Sequence, residues 1–242
     1  MHALPDDDWV SAALEAAIAD ADELVLEVAP DDDAAAAFAK RARPAAAIPL
    51  AARVPAGLRS TLATVIDRLD LDDAALDCEA SWAAALIIGA AAATAAGARR
   101  GNGTEAVLAT ALARAGKPVR ALERAAGQLA AFAALPEPQQ RLLLARTVAD
   151  AAAPGRYDAL VAAWRSGDVA VMERRLAAGV EGAPALRDRL VIERSARFAG
   201  WATARLRRPG RALLAVGSGH MVGAQGVPAL LGRGGVAVRR VG

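Results

Sequence analysis

The chain holds one cysteine, Cys78, in 242 residues, which excludes a disulfide scaffold and a cysteine-based zinc ribbon. Aromatic residues make up only 3%, and Lys40 and Lys117 are the only lysines, so positive charge is almost all arginine. Those arginines lack the interleaved aromatics of a single-strand nucleic-acid surface, and no long block of like charge occurs. Nucleic acid is therefore not an expected partner. Long apolar runs are scarce too. The run over residues 80–98, ASWAAALIIGAAAATAAGA, is mostly alanine around Leu86, Ile87 and Ile88. A bilayer crossing needs about 20 strongly apolar residues, so this run reads as a buried core helix and no stable membrane span is expected. The opening Met-His-Ala-Leu-Pro-Asp-Asp-Asp has no basic or apolar leader, so as written it reads as cytoplasmic.

What is present is a folding chain: 55% hydrophobic, 23% charged, with a formal net charge of +2. Its length suits one domain over residues 1–242. Val10, Leu14 and Ile18 share a helical face behind Asp6-Asp7-Asp8, whose carboxylates suit a helix start. Glu23 to Val28 reads as a short strand. Helical spacing then dominates: Leu58 to Leu69, the alanine-rich run, Thr104 to Ala115, and further helices from Ala125 to Ala177, with a strand at Val119 to Leu122. A long arginine-rich helix is expected from Leu186 to Leu206. The end changes character: strand Arg211 to Val216, turn Gly217-Ser218-Gly219-His220, helix Met221 to Leu231, and a last strand Val236 to Val241. The expected class is α/β (α+β). A small mixed sheet comes from the N- and C-terminal segments, and residues 56–210 form a largely helical insertion.

The strand–Gly217-Ser-Gly-His220–helix stretch is the most informative. Glycines there let the backbone approach a ligand at the C-terminal edge of a sheet, where open α/β folds bind. Gly217, Gly219 and Gly223 are the candidate ligand-contacting glycines, and their spacing does not make a dinucleotide fingerprint. His220 could serve as metal ligand or general base, or merely cap the turn. His2 precedes a loop and a helix in a similar way, or is a frayed end with no fixed position. Glu27 closes a strand and could join both histidines, a common donor set for divalent metals. Cys78, between Asp77 and Glu79, has no cationic neighbour to activate it and reads as non-catalytic. The four tryptophans read as core.

These residues resemble a known family. Met1-His2-Ala-Leu-Pro, then Glu-Leu-Val-Leu-Glu27, Gly103-Thr-Glu105, Gly116-Lys-Pro-Val119 and Leu122-Glu123 follow in order. Gln128, Leu135-Pro136, Gln139, Trp164-Arg-Ser-Gly-Asp168, Glu193-Arg194 and Gly217-Ser-Gly-His220-Met-Val-Gly223 extend it over nearly the whole chain. The order is similar to that of the TraB/GumN family, related to the Tiki metalloproteases. That family carries two Gly-x-x-His motifs. The second is whole here, while the first is met only as Met1-His2, its glycine falling before residue 1.

The resemblance implies a metal-dependent, peptidase-like hydrolase acting on a peptide or protein. A divalent ion (zinc, manganese or cobalt) would sit on His2, Glu27 and His220, with Arg194 nearby, Glu105 and Glu123 as lesser candidate ligands, and Glu105 moving a proton. It also allows an exported protein, should a signal peptide stand upstream. Ser195 departs from the asparagine that often follows the arginine. Each residue also has a plainer reading. Arg194 lies where Arg189, Glu193 and Arg197 can form i,i+4 ion pairs, and Glu105 and Glu123 stand where carboxylates favour a helix start. The glycine turn equally suits a non-catalytic module holding a peptide or anion. A regulatory protein acting through its helical insertion is the third possibility. Sequence leaves the oligomeric state open.

Overall fold

Glu23–Val28 (β1) is the centre of a three-stranded sheet because its Leu24, Val25 and Leu26 are apolar on both faces and are all buried. Val119–Glu123 (β2) and Ala212–Ala215 (β3) flank it in the order β2-β1-β3, both parallel to β1. Leu24 lies opposite Val119 and Leu213, and Val28 opposite Glu123, so the three strands end on one edge. The structure is a computed structural model that describes residues 1–5, 9–28, 34–44 and 48–241.

Helices make up most of the remainder. They are Ala12–Asp20 (α1), Ala34–Arg41 (α2), Arg59–Arg68 (α3), Asp73–Asp77 (α4), Ser81–Ala95 (α5), Thr104–Arg114 (α6), Ala125–Ala133 (α7) and Glu137–Ala152 (α8). Arg156–Arg165 (α9), Val169–Val180 (α10), Pro184–Arg187 (α11), Glu193–Arg205 (α12) and Val227–Arg233 (α13) complete them. Ser11 caps α1 by accepting from the Leu14 amide at 3.2 Å, and Asp168 caps α10 from the Val171 amide at 2.9 Å. The acidic run 6–8 expected to start α1 lies outside the described residues.

Alternation along the strands sets the layers. Leu24, Leu26, Ala121, Leu213 and Ala215 face one way, against Leu108 and Leu112 of α6 and Leu14 and Ile18 of α1. Leu122 and Val216 turn to the other face, toward Phe198 of α12 and Val227 of α13. Glu27, one residue out of step with Leu26, therefore points to the α12 face. A second core lies among the helices, where Ala84, Ala85 and Ile88 of α5 meet Leu62 and Val65 of α3 and Leu144 and Val148 of α8. α5 is 15 residues long, about 22 Å, and its first turn is buried throughout. That matches the core-helix expectation. No helix among the described residues is long and apolar enough to cross a membrane.

The α/β class with a helical majority is present, and several details differ from the sequence reading. The sheet is parallel rather than mixed, and its third strand, β2, comes from the middle of the chain. Long helical crossovers between the strands bring them into parallel alignment. The helix expected over Met221 to Leu231 begins only at Val227. Residues 221–226 make turns in which the Gly226 amide bonds the Gly223 carbonyl at 3.0 Å, and Pro228 opens the helix. Val236 to Val241 form no strand. Val238 and Val241 stay exposed, with no sheet face to cover them, and Arg240 instead donates to the Gly167 carbonyl at 2.7 Å. The long helix expected from Leu186 to Leu206 is divided. A π turn, Asp188–Ile192, separates α11 from α12 and is closed by the Glu193 amide on the Asp188 carbonyl.

Candidate functional site

All three strand ends converge on Arg194, in the first turn of α12. Its Nη2 lies 2.5 Å from Glu27 Oε1 at the end of β1 and 2.8 Å from Glu123 Oε2 at the end of β2. Its Nε donates to the same Glu123 oxygen at 2.9 Å. Its Nη1 meets His220 Nε2 and the Leu190 carbonyl, each at 3.3 Å. His220 arrives in the single turn Ser218–His220 that follows β3. Gly217 opens that turn and donates its amide to Glu27 Oε2 at 2.6 Å. A Cβ at Gly217 would stand 3.2 Å from that oxygen, so the absence of a side chain lets the backbone close in.

Glu27, Arg194, Ser195 and His220 are all buried. Burial alone pushes the Glu27 carboxyl up. Arg194 and the Gly217 amide outweigh it and hold the group below its usual range. Burial pulls Arg194 down, but hydrogen bonds and charge from Glu123 and Glu27 leave it raised. His220 is lowered, chiefly by burial, with Glu27 opposing only in part. A guanidinium N–H can only donate, so the His220 Nε2 that faces it carries the lone pair. Nδ1 then bears the proton and meets Ser195 Oγ at 2.9 Å. Phe198 packs edge-on to the imidazole, centroids 5.0 Å apart.

His2 is held, not frayed. The Thr104 amide bonds the Met1 carbonyl at 2.9 Å, Leu4 bridges Arg99 in both directions, and Tyr157 donates to the Ala3 carbonyl at 2.8 Å. His2 Nδ1 sits 2.8 Å from Glu105 Oε1, with the histidine side chain 71% exposed and the glutamate 17%. The hydrogen bond to Glu105 raises His2, and Glu27 also acts on it in that direction. Burial raises Glu105, but the His2 bond and charge prevail and bring it down to about 2. The two histidines thus stand in opposite protonation environments.

The structure joins Glu27, Arg194 and His220 directly and pairs His2 with Glu105. Glu123, a lesser candidate by resemblance, is central. Gly217 serves Glu27, whereas Gly219 lies beside Leu176 and Gly223, at φ 74°, beside Glu173. Sequence reasoning assigned no role to Gln128, whose Nε2 donates to Glu27 Oε1 at 2.6 Å from α7. Ser195, where the family often has asparagine, holds the His220 ring.

The donor set implied for a divalent ion does not fit one in this arrangement. Glu27 Oε1 already accepts from Arg194 and Gln128, and His220 Nε2 faces Arg194, so a fixed guanidinium stands where the ion would, while His2 is held by Glu105 through Nδ1. Among the described residues no group of three His, Cys, Asp or Glu side chains is gathered to hold a metal.

A parallel sheet whose strand ends carry two carboxylates, met there by a helix-borne arginine and the histidine of the turn after β3, with a second histidine on a carboxylate nearby, defines an α/β protein with a polar site at the sheet's C-terminal edge. The chain belongs to the TraB/PrgY/gumN family, whose model matches residues 1–240. No curated protein and no solved structure matches it.

Proposed function

We propose that the chain is a hydrolase of the peptidase-like kind, with its site at the C-terminal edge of the sheet. The observation carrying this reading is the His2–Glu105 pair: a solvent-accessible imidazole backed at 2.8 Å by a largely buried carboxylate. Such a pair can take a proton from water and return it to a leaving group, because the carboxylate fixes the ring and supports its charged form. His220, buried and lowered, stays neutral and holds its lone pair on Arg194. Paired groups whose environments push their protonation apart are a common signature of acid–base chemistry. The substrate class, a peptide or protein, rests on family membership.

A divalent ion would draw on His2, Glu27 and His220, would polarise a carbonyl and would acidify water. It would lie against the Arg194 guanidinium and share Glu27 with Gln128 and Gly217, so the acid–base reading does not run through it. Turnover of a peptide library by the purified protein, with His2→Ala and Glu105→Gln beside it, tests the proposal. Cleavage by the wild type that falls about 100-fold or more in His2→Ala, and by a smaller factor in Glu105→Gln, is expected. Cleavage by His2→Ala at the wild-type rate would overturn it.

A second reading is favoured by the full occupation of Glu27, Arg194 and His220. A cluster spent on internal bonds can be a clasp for a non-catalytic module that holds a peptide on the same edge. Its mark is a peptide that raises Tm and is recovered uncut.

A further inference from the structure

Guanidinium has five N–H groups, and Arg194 makes five contacts with them: two to Glu123 Oε2 and one each to Glu27, His220 and the Leu190 carbonyl. Its Cζ also lies 5.5 Å from the Phe198 ring centroid. The partners are committed in turn: Gln128 and Gly217 donate to Glu27, Arg197 donates to Glu123, and Ser195 Oγ accepts from His220 Nδ1–H. Charge closes as well, since two carboxylates stand against the Arg194 and Arg197 guanidinium groups. An ion entering between Glu27, Glu123 and His220 would meet a fixed positive charge at contact distance, with Glu27 Oε1, Glu123 Oε2 and His220 Nε2 already turned onto it.

We propose that Arg194 is the resident cation of this site: its guanidinium fills the place between the three strand ends where a divalent ion would sit, and removing it creates an ion site. The proposal rests on taking this sheet edge as the functional site. Without the guanidinium, two carboxylates and an imidazole lone pair converge on the vacated space from three parallel strand ends. That is a donor set suited to zinc or manganese.

Calorimetric titration of Mn²⁺ and Zn²⁺ into wild type, Arg194→Met and Arg194→Met/His220→Ala tests it. Wild type should show no one-to-one binding that changes in His220→Ala. Arg194→Met should bind one ion at least tenfold more tightly than wild type and lose it in the double variant. Two results would overturn the proposal. One is wild type binding one ion that is lost in both Glu27→Gln and His220→Ala. The other is a folded Arg194→Met binding no more tightly than wild type. Should Arg194→Met fail to fold, the comparison of wild type with Glu27→Gln and His220→Ala still decides. None of these measurements uses turnover, so a protein that cuts no peptide would sink the hydrolase reading and leave this one standing.

Discussion

Arg194 Nη2 and Glu27 Oε1 meet at 2.5 Å across 167 positions of sequence, both side chains buried. Desolvating both charges is costly, so the pair owes its stability to geometry and to the further bonds each partner makes. Arg194→Met should therefore cost about 3 to 5 kcal/mol in urea denaturation, since it strands the buried Glu27 carboxylate and leaves the half-buried Glu123 only Arg197. The double variant Arg194→Met/Glu27→Gln should lose less than the two single losses added, by about 1 to 3 kcal/mol. Strict additivity would mean the pair is not coupled.

The His2–Glu105 pair predicts a kinetic effect without a comparable loss of fold. His2 is exposed, so His2→Ala should leave Tm almost unchanged while kcat falls about 100- to 10,000-fold. Glu105→Gln should lower kcat less, because the amide still accepts a hydrogen bond from Nδ1–H but gives the charged ring no support. Steady-state kinetics with circular dichroism on the same samples separates these effects.

The two histidines should bend the pH dependence of stability in opposite directions. His220 is lowered from 6.5 by burial, so its contribution is full above pH 6.5 and is lost as pH falls toward its folded value. His2 is raised from 6.5 by Glu105, so its contribution is full below pH 6.5 and is lost as pH rises through its folded value. From pH 8 to 5, wild type should lose stability relative to His220→Gln and gain it relative to His2→Gln. The second change should be the smaller because solvent screens the exposed ring. Glu105, at about 2 against a reference of 4.5, adds stability that disappears only as pH drops from 4.5 toward 2.

Gly103 supports His2 from behind. A Cβ there would overlap the His2 carbonyl and lie 3.1 Å from the Ala3 amide nitrogen, so the N-terminal segment would have to move. Gly103→Ala should depress kcat by more than tenfold, with Tm lowered by only a few degrees. A variant with unchanged kcat would show that the position of His2 does not matter.

Much of this architecture can be read from the chain because local pattern and burial agree. The apolar run of β1, the glycine-flanked β2 and the turn after β3 mark three strands, and Glu27 and His220 follow from being the polar residues at two of their ends. The partners of those residues are far less legible. Gln128 and Glu123 reach the cluster only because β2 lies beside β1, a pairing across about 95 residues that no local spacing encodes. The π turn at Asp188–Ile192 has no signature in a stretch that reads as continuous helix, although it leads directly into Arg194 and Ser195. Val236 to Val241 shows the opposite failure: strand-like residues with no neighbouring strand remain irregular, because a strand's stability lies in its partner.

The convergence on Arg194 also fixes when the site can come into being. Its bonds span 26 positions to His220, 71 to Glu123 and 167 to Glu27, so no early local event can assemble it. Loop closure over such distances comes late, after the helical hairpins have formed. An unfinished chain, or one opened at either edge strand, would carry scattered carboxylates and an unclasped arginine. Competence at this edge is thus a report that the whole chain has finished folding.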